Sequence, residues 1–174
     1  MSNIAHHIQL IPAEEFSEAR RQLARRQFAG EEVSPQDGAP FGMKRSLLFS
    51  PLGLPCTPPP WGVLAAIDLT DGNIVWRKAL GSRAGVQFGL PNLGGPIVTK
   101  GGLIFTAATM DDMMRAFNIE DGEMLWEWRL PAGGQATPMT YVWDDRQFVL
   151  IYAGGNSNAS SRLGDTLVAF AIDR

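Results

Sequence analysis

The chain has 174 residues, 45% of them hydrophobic and 19% charged, a balance that supports a packed core and excludes a disordered chain. Its 19 glycines and 12 prolines exceed the roughly 12% of average usage; they predict many tight turns between short elements and favour β-structure over a helix bundle. The net charge of −3 gives no general field for a polynucleotide or an anionic membrane, so no nucleic-acid partner is expected.

At the amino end, MSNIAHHIQL lacks the basic-then-apolar order of a signal peptide, and the longest clear apolar run, Phe148 to Ala153, falls far short of the ~18 residues of a membrane span. His6 and His7 are adjacent, so they take opposite faces of a strand and miss the i, i+4 spacing of a helical metal site; no ligand role is expected. From Ile11 the pattern becomes IPAEEFSEARRQLARRQFAG, with proline at the first turn, Glu14, Glu15 and Glu18 early, Arg20, Arg21, Arg25 and Arg26 late, and a terminal glycine. These are helix signals in the order the macrodipole prefers, and they predict a helix over 12–30. Phe16, Ala19 and Leu23 form a narrow apolar stripe on it, while the four arginines read as a solvated face rather than an anionic docking patch. Residues 31–60 are interrupted by Pro35, Pro40, Pro51, Pro55 and Pro58 to Pro60 and predict a long ordered connection with one strand near Ser46 to Ser50. The lone Cys56 cannot form an internal disulfide and is expected to be a small buried or half-buried hydrophobe.

Beyond residue 60 the chain repeats itself. LAAIDLTDGNIVW, Leu64 to Trp76, aligns with MRAFNIEDGEMLW, Met114 to Trp126, bringing Ala66/Ala116, Asp68/Asn118, Asp71/Asp121, Gly72/Gly122 and Trp76/Trp126 together at an offset of 50. An incomplete third copy, LVAFAIDR, begins at Leu167, with Ala169 in register with Ala116 at an offset of 53. Each copy reads as a β-hairpin: an apolar strand, a turn that Asp opens and Gly completes at positive φ, then an outer strand ending in Trp. Ahead of the second and third copies lie two further strands each, split by Lys100-Gly101-Gly102 and by Asp144-Asp145. Four antiparallel strands per repeat of about 50 residues is the pattern of a β-propeller blade, with the matched tryptophans docking between blades.

The repeat A-x-[DN]-x-x-[DE]-G-x-x-x-W resembles the tryptophan-docking motif of quinoprotein dehydrogenases, which use pyrroloquinoline quinone (PQQ). GMKRSLLFSPLGLPCTPPPWG, PNLGGPIVTKGGLIFTAATMDDMMRAF and LPAGGQATPMTY, with QLIP at Gln9 to Pro12, are together similar to the C-terminal part of the membrane-bound PQQ-dependent glucose and quinate dehydrogenases. The resemblance implies an all-β fold of two to three four-stranded blades from an eight-bladed propeller, plus one short N-terminal helix. It implies a single partial propeller domain over 1–174, with the helix at 12–30, the proline-rich connection at 31–60 and blade repeats at 61–130 and 131–174.

The resemblance also implies a function. The whole enzyme would bind PQQ with Ca²⁺ or Mg²⁺, oxidise a sugar, polyol or quinate-type substrate, and pass electrons to membrane ubiquinone from the periplasmic side. The catalytic base, the tryptophan stacked on the quinone and most metal ligands have no match in this chain, so no catalytic or metal-binding residue is assigned. The chain alone is expected to be inactive and to hold no PQQ.

Two axial loops are legible. In the first, Asp111 matches a family aspartate associated with the cofactor pocket, where it would pair with a basic group or orient the quinone; a turn-capping aspartate is the alternative. In the second, the family commonly reads AGGHG and this chain reads AGGNSNASSRLGD, so Asn156 follows Gly155 at the histidine's position. Asparagine can orient a sugar hydroxyl but cannot take up a proton near neutral pH. Leu93 and Gly94 of NLGGP match a loop that approaches the cofactor in related quinoproteins, a simple strand-entry turn being the alternative. The remaining blades are the expected partners, and self-association is expected through apolar end faces. A non-catalytic propeller-like binding or assembly module is the competing reading of the whole chain.

Overall fold

The computed structural model describes residues 4–26, 31–52, 54–156 and 161–172. The chain divides into two compact units, Ile4–Pro58 and Pro59–Arg174.

In the first unit, β1 (His6–Pro12) leads through a 3₁₀ turn at Ala13–Glu15 into α1 (Phe16–Arg26), and β2 (Glu32–Pro35) and β3 (Phe41–Leu47) follow. The strands form an antiparallel sheet in the order β1-β3-β2. Along α1, Phe16, Ala19 and Leu23 are half-buried while the other described side chains are exposed, as the apolar stripe requires. Glu18 accepts hydrogen bonds from Arg21 at 2.7 Å and Gln22 at 3.2 Å, so part of the basic face is paired within the helix. Residues 27–30, the predicted end of the helix, lie outside the described residues.

Where the prolines predict a connection with one strand, two strands form. Pairing with β1 explains this: Pro35 ends β2, Pro40 precedes β3, and Pro12 closes β1 opposite Phe41, so each proline sits at an end of a strand where a missing N–H costs least. Among the described residues, 48–52 and 54–58 are irregular apart from a bridge between Phe49 and Pro55. Cys56 is exposed and is not the buried or half-buried hydrophobe expected of it, because it lies in irregular chain rather than on the inner face of a strand.

The second unit contains β4 (Val63–Ile67), β5 (Ile74–Ala79), β6 (Ile97–Val98), β7 (Leu103–Thr106), β8 (Met113–Asn118), β9 (Met124–Arg129), β10 (Met139–Trp143), β11 (Arg146–Ala153) and β12 (Thr166–Ala171). They pair as β4-β5, β6-β7-β8-β9 and β10-β11-β12, all antiparallel. The repeats match in detail. Ala66 pairs with Trp76 and Ala116 with Trp126, each followed by a register shift at the next residue. In the turns, Gly72 N–H donates to the Asp68 carbonyl at 2.8 Å and Gly122 N–H to the Asn118 carbonyl at 3.0 Å. Asp71 and Asp121 each accept the N–H two residues on at 2.9 Å. Asp144 and Asp145 take φ of 50° and 55°, the two-residue turn that matches the twist of a hairpin.

Trp76 joins the first repeat to the second. Its Nε1–H donates to the Ile119 carbonyl at 2.8 Å, and its ring covers Gly122, where an added Cβ would lie 2.7 Å from the indole. Around this joint Trp76, Leu80, Ile104 and Phe117 form one buried cluster. A larger one, containing Met114, Leu130, Val149 and Ile151, packs the second sheet on the third, and Trp126 meets Phe170 edge-on at 5.0 Å. No helix among the described residues is long and apolar enough to cross a membrane.

Candidate functional site

The chain leaves β7 at Thr106 and reaches β8 at Met113 through Ala107 to Asp112; Ala107, Ala108 and Thr109 are buried. Asp111 closes this loop onto the preceding repeat. Its Oδ2 accepts the Ser82 N–H at 2.9 Å and Arg115 Nη2 at 2.6 Å. Its Oδ1 accepts the Thr109 hydroxyl at 2.5 Å and Arg115 Nη1 at 3.1 Å. Asp111 thus pairs with a basic group, Arg115, and accepts the N–H of Ser82, 29 residues before it in the chain.

Four donors fill the acceptor positions of one carboxylate, so any part Asp111 plays in a ligand site runs through the groups it positions. The Asp111 and Arg115 side chains are 9% and 4% exposed, and Glu127 lies 3.4 Å from Arg115 Nε. Burial pushes the Asp111 carboxyl up, but the Arg115 and Thr109 hydrogen bonds, the Arg115 charge and the Ser82 N–H outweigh it and hold it below the ordinary aspartate range. Asp112 is the less expected neighbour: it takes φ of 57°, and its buried Oδ1 has no hydrogen-bond partner among the described residues.

The other predicted residues gather around the same loop. Leu93 N–H donates to the Ala108 carbonyl at 3.1 Å, and its side chain is 59% exposed. A Cβ on Gly94 would sit 2.5 Å from the Gln135 carbonyl oxygen, so this glycine lets its loop lie close against the Gln135 backbone. Gly155, at φ 71°, donates its N–H to the Gly133 carbonyl at 2.8 Å. Asn156 N–H donates to the Ser161 hydroxyl at 2.7 Å.

Sequence reasoning missed Gln135, the residue on which these loops meet. Its Nε2 donates to the Thr109 carbonyl at 3.2 Å, and its Oε1 accepts from Ser161 Oγ at 3.1 Å. The signal was a long polar side chain in AGGQATP, between buried Gly133 and Gly134 and half-buried Ala136. Among the described residues no group of three or more His, Cys, Asp or Glu could hold a metal ion. Four loops of the second and third repeats therefore form a wall that carries the exposed Leu93, a buried ion pair and a hydrogen-bonded hub.

The family model described as "PQQ: Glucose/ethanol/alcohol dehydrogenase, beta-propeller domain" matches residues 1–149. Quinoprotein glucose dehydrogenase A of Acinetobacter calcoaceticus is 44% identical over 173 residues, which are 94% of this chain and 21% of that protein. The quinate/shikimate dehydrogenase (quinone) of Acinetobacter baylyi is 39% identical over 164 residues, 83% of this chain and 20% of that protein. Among solved structures, a europium-containing methanol dehydrogenase aligns with a TM-score of 0.54 and 25% identity over 89% of this chain and 22% of its own. The quinohemoprotein alcohol dehydrogenase of Comamonas testosteroni, at 22% identity and a TM-score of 0.54, covers 98% of this chain and 23% of its own and supports the fold. The chain spans 21% and 20% of these two curated relatives. With its sheets and its tryptophan joint, this places the chain, as an all-β array of propeller blades with one short helix, in the PQQ-dependent glucose/ethanol/alcohol dehydrogenase β-propeller family.

Proposed function

We propose that this chain supplies propeller blades and axial loops to a PQQ-dependent dehydrogenase that oxidises a sugar, polyol or quinate-type substrate and passes electrons to a membrane quinone on the periplasmic side. The observation that carries this reading is the meeting of the Leu93, Thr109–Asp111 and Gly155–Asn156 loops on Gln135. PQQ is a planar, polar group. The exposed Leu93 side chain offers it an apolar face, Asn156 a donor and an acceptor, and the orphaned Asp112 Oδ1 an unfilled acceptor for a donor from the ligand or from a neighbouring blade. Leu93, Gly94 and Gly155 would shape the cofactor side of the wall, Asp111 would hold Arg115 and Ser82 in place behind it, and Asn156 would meet the substrate. When bound, PQQ supplies the electrophilic carbonyl that accepts the substrate's two electrons. The residues described do not amount to a metal site, so Ca²⁺ or Mg²⁺ would be held by other blades, as would the base; alone, the chain is inactive and retains no PQQ.

A chimera tests the reading. This chain replaces the matching segment of the Acinetobacter calcoaceticus glucose dehydrogenase, and PQQ binding and kcat/KM for glucose, other aldoses and quinate are measured with Asn156 and with Asn156→His. A site that pairs a particular hydroxyl rejects analogues that leave its polar groups unpaired, so the two chimeras are expected to differ in their substrate ratios, the histidine version favouring glucose. A folded chimera that takes up no PQQ would overturn the cofactor reading. Equal ratios in the two versions would remove Asn156 from the specificity site.

Self-association is expected as well. The third sheet exposes Trp143 at 70%, Leu167 at 62% and Met139 at 52% on one face, an apolar end face of the kind that adjoining blades cover. Sedimentation of the isolated chain should show concentration-dependent association; a monomer at high concentration would count against it.

A further inference from the structure

Asn156 and Asp111 lie on separate loops, yet one hydrogen-bonded path joins them. Asn156 N–H donates to Ser161 Oγ, Ser161 Oγ–H donates to Gln135 Oε1, Gln135 Nε2–H donates to the Thr109 carbonyl, and the Thr109 hydroxyl donates to Asp111 Oδ1. The polarity is fixed at its centre. The Thr109 carbonyl can only accept, so the amide nitrogen of Gln135 must face it and the amide oxygen must face Ser161. Ser161, 8% exposed, then spends its single proton on Gln135 and keeps its lone pairs for the Asn156 N–H; its 3.1 Å contact with Gln135 is shorter than its 3.3 Å contact with the Asn156 carbonyl. Nothing in a turn-forming role requires this connection, because Gly155 and Arg162 are already tied to Gly133 through the Gly155 N–H and the Arg162 carbonyl.

We propose that Gln135 and Ser161 are positioning residues that lock the loop carrying Asn156 to the Thr109–Asp111–Arg115 cluster, so that both loops meet a ligand as one preorganised surface. The functional consequence rests on the reading of these loops as a ligand-facing wall; the coupling itself is a property of the chain and is tested without PQQ.

Gln135→Glu is the discriminating variant because it is nearly isosteric and titratable. Ionised, the new carboxylate still accepts from Ser161 but turns a second oxygen against the Thr109 carbonyl. Protonated, it again donates to Thr109 and accepts from Ser161, so protonation restores the wild-type pattern. Burial and the facing carbonyl both raise its pKa above the usual glutamate value of about 4.3. The charged groups around it are Asp111 on its loop and Arg115 on β8, reached through Thr109, with Asp112 beside them and the exposed Arg162 and Asp165 after Ser161; the loops at 90–96 and 132–137 carry none.

The experiment follows the Asn156 amide of the ¹⁵N-labelled chain between about pH 5 and pH 8, with the side-chain methyls of Met114 and Ile151, both under 2% exposed, reporting that each variant is folded. The wild-type resonance is expected to stay fixed. In Gln135→Ala it is displaced at every pH, and its hydrogen exchange is roughly five- to tenfold faster, the loss of about one hydrogen bond. In Gln135→Glu it is displaced at high pH and returns toward the wild-type position as the pH falls, and this titration disappears in Gln135→Glu/Ser161→Ala because the path through Ser161 is cut. An Asn156 signal indifferent to Gln135→Ala, a Gln135→Glu displacement without titration, or a titration that survives Ser161→Ala would each overturn the proposal. A chimera that fails to take up PQQ while the coupling is present would sink the ligand-site reading alone.

Discussion

Replacing Trp76 with alanine is expected to lower the free energy of unfolding by about 3–5 kcal/mol, the range for deleting a large buried aromatic side chain. The indole is 9% exposed, fills a buried cluster with Leu80, Ile104 and Phe117, and donates to the Ile119 carbonyl. Trp76→Phe keeps much of the apolar contact and loses the hydrogen bond, so it should cost less, with about 1 kcal/mol from the bond itself. Gly122→Ala attacks the same joint from the other side: its Cβ would strike the indole at 2.7 Å, and the residue already sits at φ 69°. Trp128, 56% exposed, is the control, and Trp128→Ala should cost much less than Trp76→Ala. Urea unfolding of the four variants checks the ranking; equal effects at Trp76 and Trp128 would show that the joint between repeats does not carry the stability assigned to it.

Arg115→Leu is expected to cost about 3–5 kcal/mol, because removing one partner of a buried pair leaves the other charge uncompensated. Asp111 would keep only the Thr109 hydroxyl and the Ser82 N–H. Asp111→Asn strands Arg115 less completely, since Glu127 remains 3.4 Å from its Nε, and it should cost less. The pair also sets a pH dependence. The Asp111 carboxyl is held below its ordinary value of 3.8 in the folded chain, so the folded state binds the proton less well than the unfolded one. The stability it contributes is fully present above that ordinary value and is lost as the pH falls through the lower, folded one. Unfolding free energy measured from neutral pH into the acid range should fall less steeply in Asp111→Asn than in the wild type. An identical acid dependence in the two would remove Asp111 as its source.

The parts of the fold governed by local chemistry were legible in the sequence. The hairpins follow from apolar strands around Asp-Gly turns, and the helix follows from its charge order and apolar stripe. The repeat itself picked out Trp76 and Trp126 as equivalent positions. The strand pairing of β1 with β3 was not legible, because a proline-rich stretch looks irregular until a partner strand shows that its prolines fall at strand ends. Leu93, Gly94, Asp111, Gly155 and Asn156 were reachable through the family pattern. Gln135 was not singled out, since its significance is a pair of contacts 26 residues away in each direction along the chain.

What the sequence determined by itself is therefore the repeat, the turn positions, the strand order within each hairpin and the family, all of which rest on residue type at fixed local spacing. What only the tertiary structure decided is which groups fill each polar atom: that Asp111 takes an N–H from Ser82, 29 residues before it, that Arg115 satisfies it from within β8, and that Gln135 faces Thr109 with its nitrogen and Ser161 with its oxygen. The physical reason is that a buried donor or acceptor must be paired, and its partner is set by which loops the packed sheets bring together rather than by its neighbours in the chain.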